Sequence, residues 1–430
     1  KKLFVGAILA MGVLFGCSAA ALAADTYADT TGHWAEDAII EWSGENVLNG
    51  YNGNFRPDDS ITRGEMAAIL HRIMQYSEIA TNTFTDLDNS AWYTDAVLRA
   101  NAAGVMLGDG VGGMRPTDTI TRQEAIVMIA RALGLANLSY SSTVPFSDGS
   151  SISSWALADI TIMYEKGYID WAGTAAFNPN TPITRAEVVA TLDNIIENMW
   201  RSNGLYCDYI DGSALVSANK AYLHNSYING NIIIGGEVTI DSGGRFATDD
   251  NGQIIISGAA QIDIDGEEDD SGLQGFGGIQ ILDTAYVDIN IAGQALQSDG
   301  LIEIAGTAVL TNTDPSTVTI AANSMEISGS LTASGGSNII QTGVPTNANP
   351  IGTVTIDGGY VELSGGNAVG IFPVAAGNVV INNATLKLST GSTGIGFTDA
   401  YGNTGGTTQI TNSTIEVYGG NSAFSRVPQL

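Results

Sequence analysis

Two hydrophobic patterns divide the chain. In its first half, apolar residues recur at intervals of three and four, as in Met66, Ile69, Leu70 and Ile73, which is the spacing of one face of an α-helix. In its second half, short runs such as Leu301-Ile302-Glu303-Ile304 alternate apolar and polar residues, which is typical of strands. We therefore expect an α-helical N-terminal part and a β C-terminal part.

A five-residue unit occurs three times in the helical part. It reads Ile61-Thr62-Arg63-Gly64-Glu65, Ile120-Thr121-Arg122-Gln123-Glu124 and Ile183-Thr184-Arg185-Ala186-Glu187, with a period of about 60 residues. A Thr followed three residues later by Glu, ahead of an apolar run, is a capping box. Each unit therefore predicts the start of a helix. Since a single helix pair cannot bury both of its apolar faces, the three repeats should pack together.

Capping does not explain the Arg in each unit, which the helix macrodipole mildly disfavours in the first turn. A helix N-terminus presents free N–H groups that attract anions, and a guanidinium beside them adds a fork suited to carboxylate or phosphate. Arg63, Arg122 and Arg185 are therefore candidate anion-binding residues. The alternative is that each Arg pairs with a nearby carboxylate and only stabilises the fold, and the spacing alone leaves both open.

Further landmarks precede each unit in the same order: an Asp, a Trp, an apolar residue and a Pro. Together with Gly32-His33-Trp34-Ala35, Asn49-Gly50-Tyr51 and Phe55-Arg56-Pro57, these landmarks resemble three tandem S-layer homology domains. The resemblance implies an all-α pseudo-threefold trimer whose inter-repeat grooves bind secondary cell-wall polysaccharide, especially a pyruvylated amino sugar. It also implies that the Arg of each unit contacts the acidic glycan, because a ketal-linked pyruvate is a carboxylate of fixed geometry.

The Trp residues among the landmarks form a second set of glycan-binding candidates. Aromatic faces stack on sugar rings, although a Trp near a helix start is more often part of the core. These residues are Trp34, Trp92 and Trp155. The later copies depart from the pattern, since Asn178 replaces the Arg that precedes Pro in the first two repeats. One of the three grooves is therefore expected to be weak or unused.

The second half repeats units of about 20 to 29 residues. Gly352-Thr353-Val354-Thr355-Ile356-Asp357-Gly358 aligns with residues 377–383 and 406–412, and a second short strand follows each of these segments. Short strands turned by Gly or Asn indicate a right-handed parallel β-helix, with Val354 and Ile356 inside and Thr355 outside. A series of β-sandwiches is the alternative, but the repeat is too short for seven-stranded units. The pattern resembles Gly-rich β-helical regions of Gram-positive surface proteins, some of which bind acidic plant polysaccharides.

The N-terminal residues and the net charge limit the cellular location of the protein and the partners that it can bind. Residues 1–23 read as a secretory signal peptide, with the lipobox-like Leu14-Phe15-Gly16-Cys17 as an alternative, and no later segment is apolar enough to span a membrane. Cys207 is then the single cysteine left, so no intrachain disulfide can form. The formal charge of −29 argues against nucleic acid or an anionic membrane surface as partner, because both require a basic footprint.

The predicted organisation has six segments. They are a signal peptide (1–23), three S-layer homology repeats (24–78, 79–138 and 139–200), a linker (201–225) and a parallel β-helix (226–430).

Catalytic and metal-binding chemistry is sparse in the sequence. Pectin lyases and hydrolases built on β-helices need a basic residue or paired carboxylates, and neither recurs across neighbouring rungs, so we predict no enzyme activity. The acidic run at 263–270 offers Ca²⁺ candidates in Asp263, Asp265, Glu267 and Asp269, but it lacks EF-hand spacing. A solvated acidic turn is the alternative, and Ca²⁺ is the one cofactor that the sequence leaves open.

These patterns predict a secreted protein of the cell wall or S-layer of a Gram-positive bacterium. Its helical trimer is expected to attach it noncovalently to secondary cell-wall polysaccharide, and its β-helix to project outward as an S-layer or adhesin-type domain. The β-helix could meet extracellular carbohydrate or neighbouring surface proteins. The competing hypothesis is that the β-helix is itself a carbohydrate-binding or pectin-active domain.

Overall fold

The structure is a computed structural model with an α-helical and a β part. It describes residues 27–76, 78–136, 144, 146–173, 175–201, 203–218, 220–240, 246–249, 252–257, 260–265, 272–282, 285–343, 352–365, 369–373, 377–391, 393–397, 407–418 and 422–426. The helices of this described part are α1 (Glu36–Gly44), α2 (Arg63–Met74), α3 (Thr94–Ala102), α4 (Arg122–Ala132), α5 (Leu157–Glu165) and α6 (Arg185–Ile195). None of them is long and apolar enough to cross a bilayer.

The second helix of each repeat begins where the sequence predicts. Thr62, Thr121 and Thr184 are the N-caps of α2, α4 and α6, and each makes a complete capping box with the Glu three residues later. In α2, Thr62 Oγ1 accepts from the Glu65 amide at 3.2 Å, while the Thr62 amide donates to Glu65 Oε2 at 2.7 Å. The local sequence is therefore sufficient to fix these three helix starts.

The three repeats close into a ring through the residue that precedes each cap. The amide of Ile120 donates to Ile61 O at 3.0 Å, that of Ile183 to Ile120 O at 3.0 Å, and that of Ile61 to Ile183 O at 3.4 Å. Each repeat thus donates once and accepts once, and all three Ile side chains are fully buried. This cyclic arrangement confirms the predicted pseudo-threefold packing.

The β part is three stacks of parallel strands, numbered β1 to β28 along the chain. The first stack is β1 (Asn198–Trp200), β3 (Ala214–Val216), β5 (Ile232–Ile234), β8 (Gln253–Ile256), β11 (Gly278–Ile281), β14 (Leu301–Ile304), β17 (Ser324–Ile327), β20 (Thr353–Asp357), β23 (Asn378–Asn382) and β26 (Thr408–Thr411). The second is β2 (Gly204–Asp211), β4 (Ala221–Asn229), β6 (Glu237–Ile240), β9 (Gln261–Asp265), β12 (Tyr286–Ile291), β15 (Thr307–Asn312), β18 (Ser330–Gly335), β21 (Tyr360–Ser364), β24 (Thr385–Ser389) and β27 (Thr414–Val417). The third is β7 (Phe246–Thr248), β10 (Leu273–Gln274), β13 (Leu296–Gln297), β16 (Ile320–Ala322), β19 (Asn338–Thr342), β22 (Val369–Pro373), β25 (Thr393–Phe397) and β28 (Ser422–Arg426). The predicted right-handed parallel β-helix is confirmed.

Side-chain alternation builds the interior of the β-helix. Val354 and Ile356 are fully buried, whereas Thr355 between them is not, as predicted. The register aligns Val354 with Val379, and Val379 with Thr408, in agreement with the sequence alignment. The turn after the first-stack strand needs a left-handed residue, which is Gly358 in one rung and Asn383 (φ 49°) in the next.

The segment 201–225, predicted as a linker, instead contains β2, β3 and part of β4, and strand pairing already begins at Asn198. The prediction missed these rungs because they do not alternate cleanly. Leu215, Ile233 and Ile255 point away from the β-helix interior, yet they are fully buried in one core with the helical repeats. The helices and the first rungs of the β-helix therefore share a continuous hydrophobic interface.

Polar contacts complete this junction. Gln280 Nε2 donates to the carbonyl oxygen of Gly134 at 3.1 Å, and Gln75 Nε2 donates to that of Ser217 at 2.6 Å. Gly134 has φ 64° and lies directly over Ile255, where no Cβ could fit without a shift. The junction is thus tightly packed as well as apolar.

Candidate functional site

The amides at the start of each capped helix are already occupied. The Arg63 amide donates to Asp118 O at 3.0 Å and the Gly64 amide to Pro116 O at 2.8 Å, and the same bonds recur at the starts of α4 and α6. The expectation of free N–H groups for an anion is therefore wrong. Its physical reason is the packing of the trimer, which lays a loop of the next repeat across each helix start.

The guanidinium of Arg63 is also engaged within the protein. Its Nε and Nη2 donate to the carbonyl oxygens of Met114 (3.1 Å) and Leu107 (2.9 Å), and its Nη1 lies 3.1 Å from Glu124 Oε1. Burial lowers the pKa of Arg63, while the charge of Glu124 opposes that effect. All three nitrogens thus bind the second repeat, which is the fold-stabilising alternative raised by the sequence.

Arg122 and Arg185 occupy equivalent places with different partners. Arg122 Nη1 donates to Phe177 O at 2.9 Å, and its guanidinium forms an ion pair with Glu187. Arg185 donates to the carbonyl oxygens of Phe55 and Asn49, both at 2.8 Å, and its guanidinium lies 4.5 Å from the centroid of the Phe55 ring. Among the described residues Arg185 has no ion pair with a carboxylate. A glycan contact for these three residues stays a prediction.

A cleft of about 310 Å³ opens beside Arg63, between the second and third repeats. We call it the basic cleft, and its charged and aromatic lining residues are Arg63, Arg115, Glu124, Arg131 and Trp155. Three guanidinium groups face one carboxylate here, within a chain of formal charge −29. The cleft therefore concentrates positive charge in an otherwise acidic protein.

Two of its cations retain donors for a ligand. The Arg115 side chain is 41% exposed, and its Nη2 lies 2.6 Å from Glu124 Oε1. Its Nε is buried without a hydrogen-bond partner. Arg131, nine residues after Arg122 on α4, makes no side-chain hydrogen bond or salt bridge with any described residue, although its charge opposes the burial that raises the pKa of Asp159. These two side chains, more than Arg63, can offer N–H groups to an acidic ligand.

A second cleft of about 340 Å³ lies between the third and first repeats. We call it the acidic cleft, and its charged and aromatic lining residues are Trp34, Asp37, Asp170, Trp171 and Asp193. Neither Lys nor Arg is among the described residues that line it. The two clefts thus have opposite charge.

The three candidate Trp side chains lie at the surface. Trp34, Trp92 and Trp155 are 59%, 65% and 51% exposed, so the alternative that they belong to the core is wrong. Trp155 lines the basic cleft and Trp34 the acidic cleft, while Trp92 lines neither. Each lies in the turn that leads into the first helix of its repeat, two residues before that helix begins.

The predicted Ca²⁺ candidates are only partly described. Asp263 is exposed on β9, next to Asp288 of β12 in register. The side chain of Asp265 and the whole of Glu267 and Asp269 lie outside the described residues. Within the described part, His, Cys, Asp and Glu form no group able to hold a metal ion. Calcium binding by this run stays a prediction.

Sequence reasoning missed Arg115 and Arg131 as site residues. A signal existed for Arg115, since it precedes Pro116 as Arg56 precedes Pro57 in the first repeat. At the position that corresponds to Arg131, the first repeat also has an Arg, Arg72 of α2, but the third repeat has Asn194. The packing of the third repeat brings Trp155 and Arg131 into the lining of one cleft, which the sequence pattern does not show.

Comparison with known proteins identifies the helical repeats. The model of the S-layer homology domain matches residues 26–67, 83–126 and 145–189. Exoglucanase XynX of Acetivibrio thermocellus is 32% identical over 42% of this chain and 17% of its own length. The surface-layer 125 kDa protein of Lysinibacillus sphaericus is 29% identical over 39% of this chain and 14% of its own length. The cellulosome-anchoring protein of A. thermocellus is 29% identical over 38% of each. The chain therefore spans well under two thirds of these relatives.

Proposed function

We propose, from the premise that this chain carries three S-layer homology domains and is a cell-surface protein of a Gram-positive bacterium, that its helical trimer anchors it noncovalently to an acidic secondary cell-wall polysaccharide. The observation that carries this proposal is the basic cleft. Arg115 and Arg131 are the groups that we assign to the acidic unit of the glycan, and Trp155 is assigned to a sugar face.

The chemistry of the cleft fits a carboxylate on a sugar, such as a pyruvate ketal. A guanidinium binds a carboxylate through parallel N–H donors, and the Arg115 side chain is 41% exposed and donates to a described residue through Nη2 alone. The exposed indole of Trp155 supplies an apolar face for the C–H groups of a pyranose ring. Glu124 balances part of the charge and holds the Arg115 side chain across the cleft.

The named relatives favour attachment over catalysis. One is a cellulosome-anchoring protein and another is a surface-layer protein. The match to the exoglucanase covers 17% of that protein, so it carries no argument for the activity in its name. We propose that this chain binds without chemistry and that its β-helix is the displayed part.

A second candidate function, carbohydrate binding by the β-helix, is favoured by one outer surface. Glu362, Lys387 and Glu416 lie side by side in register on β21, β24 and β27. The Tyr360 ring lies 5.3 Å below Lys387 Nζ, and Tyr418 Oη donates to Glu416 Oε2 at 2.8 Å. Two carboxylates on either side of an ammonium group, with tyrosines beside them, offer hydrogen-bonding groups and apolar faces to sugars. A glycan array that compares the wild type with Lys387→Ala tests this candidate.

Retention on wall polysaccharide tests the anchoring proposal. The secreted chain is sedimented with purified Gram-positive cell walls before and after removal of pyruvate from the polysaccharide. Arg115→Ala/Arg131→Ala should lose retention at unchanged helical content, and loss of pyruvate should have the same effect on the wild type. Lys166→Ala/Lys220→Ala removes equal charge from exposed positions outside both clefts and serves as the control. Retention of the cleft variant at the wild-type level would refute the assignment.

A further inference from the structure

His71 lies in the last turn of α2, where the first repeat packs against α3 of the second repeat. Its ring is stacked on Tyr76, with 6.0 Å between the ring centroids and 21° between the planes. The side chain is half-buried, and its Nδ1 is buried without a hydrogen-bond partner among the described residues. No described residue therefore stabilises a proton on that nitrogen.

Cations outnumber anions around this ring. Arg72 follows His71 on α2, and Arg99 of α3 donates from Nη1 to the carbonyl oxygen of Tyr76 at 3.1 Å. The acidic group on α3, Asp95, is bound to Arg99 Nε at 2.9 Å. Burial and the charge of Arg99 lower the pKa of His71. Arg72 acts in the same direction, and Asp95 opposes these effects only in part.

We propose that His71 is an acid-sensitive element of the contact between the first and second repeats. While the imidazole is neutral, its ring packs against Tyr76 and the end of α2 stays packed on α3. Protonation places a half-buried charge beside the Arg99 guanidinium, which costs free energy in the folded chain but not in the unfolded one. The folded state therefore loses stability as the pH falls through the unfolded-state value of about 6.5 towards the lower folded-state value.

The same turn of α2 also holds the β-helix. The carbonyl oxygen of His71 accepts from the Gln75 amide at 2.8 Å, and the Gln75 side chain donates to Ser217 O of the β-helix. Gly235 of the β-helix lies against Met74, where an added Cβ would be 2.9 Å from the Met74 carbonyl oxygen. Acid should thus loosen the junction between the helical repeats and the β-helix as well as the contact with α3.

The next pair of repeats lacks this combination of basic residues. Eight residues after the Arg of the five-residue unit, the first repeat has His71 and the second has Ala130. Seven residues after the exposed Trp, the second repeat has Arg99 and the third has Ile162. At the corresponding positions, α4 and α5 thus have two apolar residues where α2 and α3 have two basic ones. Titration of a histidine can act on the first of these contacts and not on the second.

NMR of histidine ring protons tests the proposal on the secreted chain, with His71→Gln identifying the signal among three histidines. The His71 midpoint should lie below about 6.5, and Arg99→Gln should shift it upward. Chemical denaturation from about pH 8 to about pH 5 then compares the wild type with His71→Gln, and the wild type should lose stability relative to the variant. His33→Gln is the matched control, because His33 lies 3.4 Å from the Asp58 carboxylate, and it should not remove this loss.

Three results would overturn the proposal. A His71 midpoint at or above about 6.5 would show that the macrodipole at the end of α2, which favours a cation, prevails over burial. A constant difference in stability between the wild type and His71→Gln over the same pH range would show that this protonation is not coupled to folding. An unchanged midpoint in Arg99→Gln would refute the repulsion. Should that variant fail to fold, Arg72→Gln is read in its place, with the same upward shift expected.

Discussion

Arg63 of the first repeat binds Glu124 of the second, with 3.1 Å between Nη1 and Oε1. The same carboxylate accepts from the amide and hydroxyl of Thr121 and from Arg115 Nη2. One Glu therefore caps its own helix, joins two repeats and positions a cation of the basic cleft. The stability of the trimer and the shape of the cleft depend on the same side chain.

Removal of Arg63 should destabilise the trimer. Arg63→Ala removes one of the two guanidinium groups that bind the partly buried Glu124 and leaves two carbonyl oxygens without a donor, so we expect a loss of about 3 kcal/mol in the free energy of unfolding. Arg131→Ala, which removes a cation of the same cleft that has no hydrogen bond or salt bridge to a described residue, should cost less than about 1 kcal/mol, because it loses only the attraction to Asp159. Chemical denaturation measures both, and equal losses would contradict the internal role of Arg63.

Acid should weaken the hydrogen bonds and ion pairs that Glu124 makes with Thr121, Arg115 and Arg63. Burial alone would raise the pKa of Glu124, but hydrogen bonds from Thr121 and Arg115 and the charge of Arg63 outweigh it and lower the pKa. The stabilisation is then fully present above the unfolded-state pKa of about 4.3 and is lost as the pH falls through the lower folded-state value. The difference in unfolding free energy between wild type and Glu124→Gln should shrink over that range. A constant difference would refute the linkage.

The left-handed turn at Asn383 should tolerate Gly but not a β-branched residue. Its φ is 49°, and its amide donates to Thr411 O at 3.0 Å. Asn383→Gly should change stability by a few tenths of a kcal/mol, whereas Asn383→Val should cost about 2 kcal/mol because Val rarely adopts positive φ. Thermal unfolding of the two variants measures this. Equal melting temperatures would show that the turn rearranges freely.

Substitution of Gly134 should loosen the junction between helices and β-helix. An added Cβ would lie 2.5 Å from Ile255 Cγ2, at φ 64°. Gly134→Ala therefore combines backbone strain with a clash, and we expect a loss of about 1 to 3 kcal/mol in the free energy of unfolding. Calorimetry should then show two transitions in place of one. Gly167→Ala is the matched control, because its φ is 78° and no atom lies within 4 Å. Identical traces for both variants would contradict the tight junction.

Sequence reasoning reached what local chemistry determines. The capping boxes at Thr62, Thr121 and Thr184 and the inward positions of the rungs follow from neighbours a few residues apart, and they were confirmed. Arg115 and Arg131 were missed because Arg63 and Trp155, which complete the basic cleft around them, belong to the first and third repeats. The filled helix starts and the buried outer face at Ile233 and Ile255 depend on segments far away in the chain, which no local pattern encodes.

The constant register of the β-helix has a consequence for evolution. From β8 onward each first-stack strand pairs with the next in the same alignment, while contacts with the helices are made by the earliest rungs. Duplication of the coding segment for one later rung would lengthen the β-helix by about 4.8 Å. The helical repeats and the first rungs of the β-helix would stay unchanged. Descendants could thus adjust how far they reach above the wall without a new means of attachment.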